Sequence, residues 1–213
     1  MVEAMAVVDT DEWLHPPDGS AGWSEDMAFA IVDIANATHI DVGLVLHLDS
    51  DAMRSTASWR TTVAGRSQYS GAWSQGGPPR SNWDVMAIGA VELRMEEGLV
   101  SWSVRLEDNV SMAFLVLNAT GACIEMGPTA DGEGWYEQDM TVTGEVHHRP
   151  PGGENRRIVV DGVARRLHRW GHHDTTTELS VAGHATPPVV NLLADLDGAG
   201  DVAPPPDPLR PIA

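Results

Sequence analysis

The feature that most constrains this chain is a succession of short segments in which apolar residues recur at every second position, each bounded by turn residues. In Leu99–Leu106, Val100, Trp102, Val104 and Leu106 share one face, while Ser101, Ser103 and Arg105 share the other. That is the signature of a half-buried strand, with Trp102 inward and Arg105 in solvent. In Tyr136–His147, Met140, Val142, Gly144 and Val146 alternate with Thr141, Thr143, Glu145 and His147. Further runs cover Met27–Ile34, Asp41–Leu48, Ala57–Ala64, Arg156–Asp161, Ala164–Trp170 and Thr175–Ala182. Trp83–Met95 reads as one longer strand bent at Gly89, and Ser111–Leu117, apolar on both faces, as a covered strand. Turn clusters such as Glu96-Glu97-Gly98, Asp131-Gly132-Glu133-Gly134 and Asp161-Gly162 separate the runs. Short strands at regular spacing predict an all-β fold, an antiparallel barrel or strongly curved sandwich of about eight to ten strands.

The expected domain spans 25–197. It follows an irregular lead-in over 1–24 and precedes a Pro-rich tail over 198–213. Gly65–Ser81 (GRSQYSGAWSQGGPPRS) reads as a long loop carrying Tyr69 and Trp73, and Val189–Leu196 as a short helix.

Charge narrows the partners. Thirty-one acidic residues against 13 basic ones give a net charge of −18, and every basic residue is Arg. Such a surface repels phosphate backbones, so no nucleic-acid partner is expected. No apolar stretch approaches the roughly 20 residues of a bilayer span, and the N-terminus has no basic leader, so the expectation is a cytoplasmic protein. The sequence admits a homodimer. A single cysteine, Cys123, excludes an intrachain disulfide and reads as a buried, inert thiol.

Aromatic usage is skewed: eight Trp against two Phe and two Tyr. Indoles suit the walls of a pocket for an extended, conjugated ligand. They suit a core equally well, with Trp13, Trp23 and Trp135 plugging the ends of a barrel. Histidines gather late in the chain, but the adjacent pairs His147-His148 and His172-His173 point to opposite faces of a strand and cannot share an ion. His147, His148 and His184 read as surface or turn residues. No metal and no cofactor is expected: there is no phosphate loop, no dinucleotide fingerprint and no nucleophile elbow. Acid–base and shape chemistry in a pocket remain, with Glu137, Gln138, His168, Asp174 and Tyr69 as candidates.

Two segments carry a resemblance. Glu137-Gln138 with Val142-x-Gly144-x-Val146, and Arg166-Leu167-His168-Arg169-Trp170-Gly171-His172-His173-Asp174, resemble motifs of the hydroxyneurosporene-synthase-like (carotenoid 1,2-hydratase-like) proteins. Trp23-x-Glu25 and Phe29-x-Ile31-x-Asp33 resemble the opening strand of the same proteins. The resemblance implies a lipocalin-type barrel and an apolar polyene or terpenoid substrate. Relatives in this broad group include hydratases and catalysts of [4+2] cyclisation. Leu167 stands where those proteins carry Asp, the natural proton donor for hydration, and this tilts the expectation toward cyclisation.

The expected function is therefore a cofactor-independent cyclase on an apolar polyene or polyketide intermediate. His168, Glu137 and Asp174 would polarise the substrate, and Trp59, Tyr69, Trp73, Trp83, Trp102, Gln138 and Trp170 would bind it. A hydratase or dehydratase, and a non-catalytic carrier of an apolar small molecule, are the alternatives.

Overall fold

The computed structural model describes residues 14–15, 19–48, 52–82, 84–121, 123–126, 134–172, 180–181 and 184–185. Trp83, Asp174, all but Ser180 and Val181 of the strand expected over Thr175–Ala182, the helix expected over Val189–Leu196 and the Pro-rich tail lie outside the described residues.

The strands are β1 (Ser24–Asp33), β2 (Thr38–Leu48), β3 (Met53–Val63), β4 (Arg66–Gly76), β5 (Arg80–Asn82), β6 (Val85–Ile88) and β7 (Val91–Glu97). They continue with β8 (Ser101–Glu107), β9 (Ser111–Ala119), β10 (Ile124–Met126), β11 (Gly134–His148), β12 (Arg156–Gly171), β13 (Ser180–Val181) and β14 (His184–Ala185). Twelve of them form one antiparallel sheet in the order β4-β3-β2-β1-β12-β11-β9-β8-β7-β6-β5, with β10 on the side of β11. Most consecutive strands are joined as hairpins, but β4 and β5 lie at opposite margins of the sheet and β9 pairs with β11 rather than β10. The last long strand, β12, forms a hairpin with β11 and also pairs with β1 from Ser24↔Gly171 to Val32↔Val163. That pairing joins two meanders and curls the sheet into a nearly closed barrel.

Alternation decides what fills the barrel. From β1 come Met27, Phe29 and Ile31; from β2, Ile40, Val42, Leu44 and Leu46; from β8, Trp102, Val104 and Leu106; from β9, Leu115 and Leu117. All are buried and belong to one core. The opposite face of β1 is covered as well: Ala28, Ala30 and Val32 form a second small cluster with Leu167 and Trp135.

Several expectations change. Gly65–Ser81 is not a loop. Most of it is β4, paired with β3 from Arg54↔Gly76 to Val63↔Arg66. It lies at one margin of the sheet, where polar side chains meet solvent, so its Gly/Ser/Gln composition hides the strand. Trp83–Met95 is not one bent strand but the hairpin β6–β7, turned at Gly89-Ala90. Asp161-Gly162 is not a turn. β12 runs unbroken through it and passes so close to β1 that a Cβ at Gly162 would lie 2.3 Å from the Val32 carbonyl oxygen. Glycine is there for close approach. Val100 precedes β8 and is exposed, unlike its expected companions Trp102 and Val104. β9 is not covered: Met112 and Phe114 face outward and are exposed. His148 ends β11 on the inner face and is buried, while Cys123 is only half-buried.

Candidate functional site

One end of the barrel carries a polar cluster on an otherwise apolar inner wall. Register assembles it. Glu25 pairs with Trp170, Met27 with His168 and Phe29 with Arg166 across β1 and β12; Gly134, Tyr136 and Gln138 of β11 face Trp170, His168 and Arg166 from the other side. Residues directly opposite on one face lie about 4.5–5.5 Å apart. Alternation therefore sends Glu25, Tyr136, Gln138, Arg166 and His168 inward together.

Their hydrogen bonds form a directed chain. Arg166 Nη2 donates to Tyr136 Oη (2.5 Å), and Tyr136 Oη meets His168 Nδ1 (3.3 Å). His168 Nε2 meets Glu25 Oε1 (2.8 Å), as does His15 Nδ1 (2.9 Å). The His15 backbone N–H donates to both carboxylate oxygens, at 3.0 and 3.1 Å. With Glu25 ionised, the network fixes the tautomer of a neutral His168: Nε2 carries the proton and donates to Glu25, and Nδ1 accepts from Tyr136.

Aromatic faces enclose the chain. The Arg166 guanidinium carbon lies 4.4 Å from the Trp102 ring centre and 5.1 Å from that of Tyr136, within cation–π range. His15 stacks on Trp170 at 3.9 Å with an interplanar angle of 10°. Gly134 makes room for that indole, since a Cβ there would sit 2.1 Å from the Trp170 ring. Glu25, Arg166 and His168 are fully buried, whereas the His15 side chain is 21% exposed and marks where the chain of contacts reaches the surface.

Burial and hydrogen bonding compete over the two central groups. Burial pushes the Glu25 carboxyl up, but the hydrogen bonds from His15 and His168 outweigh it, so the net shift is downward. For His168, burial lowers the pKa and prevails over the hydrogen bond and charge of Glu25, which raise it; Arg166 adds to the lowering. Both shifts act in one direction on stability. A histidine that resists protonation in the fold leaves the unfolded chain binding more protons below its ordinary pKa of about 6.5. Its stabilisation is complete above that pH and is lost as pH falls toward the lowered value. Glu25 behaves likewise below its ordinary value of 4.5. His148, lowered by burial and by Arg156, has the same sign as His168. Thermal melts of the ion-free protein should therefore show a midpoint that falls steadily from pH 7 to pH 5. In His168→Gln this slope should be shallower.

The structure brings some expected site residues together and scatters others. His168, Gln138, Trp170 and Trp102 lie in or against the cluster. Gln138 Nε2 donates to the Leu99 carbonyl (2.7 Å), while its Oε1 is buried with no hydrogen-bond partner among the described residues. Trp59 belongs to the core, and its Nε1 donates to Thr61 Oγ1 (2.8 Å). Glu137 faces the outside, where it pairs with Arg165 (3.2 Å), and takes no part in the interior network. Tyr69 and Trp73 of β4 sit near the far end of β11. The Tyr69 hydroxyl donates to Asp108, its ring lies 6.0 Å from that of His148, and Trp73 lines a surface groove with Glu92, Arg105 and Asp108. Leu167 also faces outward, in the second cluster, so the absence of an acid there says nothing about the interior.

His15, Glu25, Tyr136 and Arg166 were not among the expected site residues. Glu25 and Arg166 do fall within the motifs that carry the family resemblance, and Tyr136 shares the inward face of Met140 and Val142. His15 has no such signal.

No family model and no curated protein matches this chain. Among solved structures, it is similar to the crystal structure of a "putative AttH" from Nitrosomonas europaea, with a TM-score of 0.59 and 12% sequence identity. The match covers 81% of this chain and 57% of that one, so this chain spans little more than half the length of that solved protein. The likeness concerns the fold, a lipocalin-like antiparallel barrel.

Proposed function

We propose that the protein is a cofactor-independent cyclase that folds a linear, apolar polyene or polyketide intermediate within the barrel and promotes a [4+2] ring closure. The observation that carries this reading is the polar chain Arg166–Tyr136–His168–Glu25 on an apolar wall, flanked by Trp102 and Trp170. Cycloaddition needs a confined reactive conformer and one hydrogen-bond donor aimed at an activating carbonyl. The Tyr136 hydroxyl would supply that donor by turning its O–H from His168 Nδ1 to the carbonyl, while Arg166 Nη2 goes on donating to its oxygen. Trp102 and Trp170 would confine the hydrocarbon.

Hydration is less well supported. Protonating an alkene demands a carboxyl kept protonated near neutrality. Glu25, the carboxyl in this cluster, is instead held ionised by two histidines.

The test is incubation with a synthetic linear polyene bearing a conjugated diene and an enone, followed by mass spectrometry in heavy-oxygen water. A cyclase gives an isomer of unchanged mass without label. Incorporated label would overturn the reading in favour of a hydratase, and saturable binding without conversion in favour of a carrier. Tyr136→Phe should slow turnover by about 10²–10³-fold, the usual cost of losing one donor to a developing oxyanion.

A further inference from the structure

We propose that His15, Glu25 and His168 form a site for one divalent transition-metal ion, with zinc the natural candidate. The expectation from sequence was no metal, because it weighed only neighbouring histidines. The structure draws the donors from three separate stretches: the segment before β1, β1 itself and β12. His15 Nδ1 and His168 Nε2 both point at one Glu25 oxygen, and the three donor atoms lie within 4.8 Å of one another. Around a tetrahedral zinc with bonds of about 2.0–2.1 Å, donors sit roughly 3.3 Å apart. Small outward shifts of the two rings would therefore admit the ion.

The donor chemistry fits. Two imidazoles and one carboxylate, with a fourth position open, is a set that catalytic zinc sites use. Support for the rings is also in place. Tyr136 Oη meets the other ring nitrogen of His168, where metal-bound histidines usually have a hydrogen-bond partner. His15 is fixed by its stack on Trp170 and by its own backbone N–H on Glu25.

Binding need not change the proton count. The proton on His168 Nε2 would be exchanged for one on Nδ1, which would donate to the Tyr136 oxygen, leaving the Tyr136 O–H free to turn elsewhere. A neutral His15 would likewise carry its proton on Nε2.

The inference does not rest on the cyclase reading, because the hydrogen-bonded chain described above operates with protons alone. The competing account is that the three side chains simply satisfy one another. Calorimetric titration of the chelator-treated full chain with zinc, and visible absorption with cobalt(II), distinguish the two. One equivalent should bind, and cobalt should give the intense bands of a four- or five-coordinate site. His15→Ala, a change at a half-exposed position that circular dichroism should show to be folded, should weaken zinc binding by about 10–100-fold or more. His147→Ala, on the surface beside Glu145, should leave it unchanged. No binding to the folded chain, or unaltered binding by His15→Ala, would overturn the proposal. Neither result would bear on whether the polyene probe is cyclised.

Discussion

Glu25→Ala should cost the fold about 1–3 kcal/mol for each buried donor it strands, the penalty for a buried polar group left without its partner. Glu25 accepts from His168 Nε2, from His15 Nδ1 and from the His15 backbone N–H. Without the carboxylate, His168 keeps a proton on a fully buried nitrogen with nothing to receive it, and each such orphan costs about 1–3 kcal/mol. By contrast, the exposed pair Arg105–Glu107 contributes at most about 1 kcal/mol, since solvent screens it. Glu25→Gln keeps one acceptor oxygen at the same place and should lose less than the alanine variant. Urea denaturation of the three proteins checks the order wild type, Glu25→Gln, Glu25→Ala. Against a typical total stability of 5–15 kcal/mol, the alanine variant should shift the midpoint by a large fraction.

The same period-2 logic explains what the sequence revealed and what it hid. β8 and β11 were legible because Trp102, Val104 and Leu106, or Met140, Val142 and Val146, fall on one side of a strand whose other side is polar. Extending the β11 alternation backward places Tyr136 and Gln138 inside and Glu137 outside, as observed. The neighbours Glu137 and Gln138 thus belong to opposite faces, and only Gln138 reaches the interior. On β12, His168 and Arg166 share the inner face, and Leu167 between them cannot. β4 was illegible because its Gly, Ser and Gln residues carry no apolar stripe. Its strand character comes from pairing with β3 and from Trp73, which packs over Gly89 at the other margin of the sheet. The partnership of His15 with Glu25 and His168 was beyond any local pattern. It depends on where the segment before β1 lies once β12 has closed on β1, a long-range consequence of topology.

Trp102→Ala is the substitution that most directly weighs shape against polarity. Trp102 is 1% exposed, lies 5.9 Å from the Phe29 ring and carries the Arg166 guanidinium over its face. Truncation removes its contacts and leaves a cavity, at a cost of about 3–5 kcal/mol. Loss of the desolvated cation–π contact adds up to about 2 kcal/mol. Trp59→Ala is the matched comparison. This indole is equally buried, but its polar contact is the bond to Thr61 rather than to the cluster. Both variants should lose stability in urea by similar amounts, with Trp102→Ala the worse by the cation–π increment. Their effects on ring closure should separate further. Confinement of a reactive conformer can supply on the order of 7–11 kcal/mol in favourable intramolecular systems, against about 2.7–4 kcal/mol for one hydrogen bond strengthened in the transition state. If the barrel works by confinement, single-turnover conversion of the polyene probe should fall in Trp102→Ala at least as far as in Tyr136→Phe, while Trp59→Ala, though as unstable, should retain more of the rate. Near-normal conversion by folded Trp102→Ala beside an inactive Tyr136→Phe would place the rate in the hydrogen-bonded chain and not in the shape of the pocket.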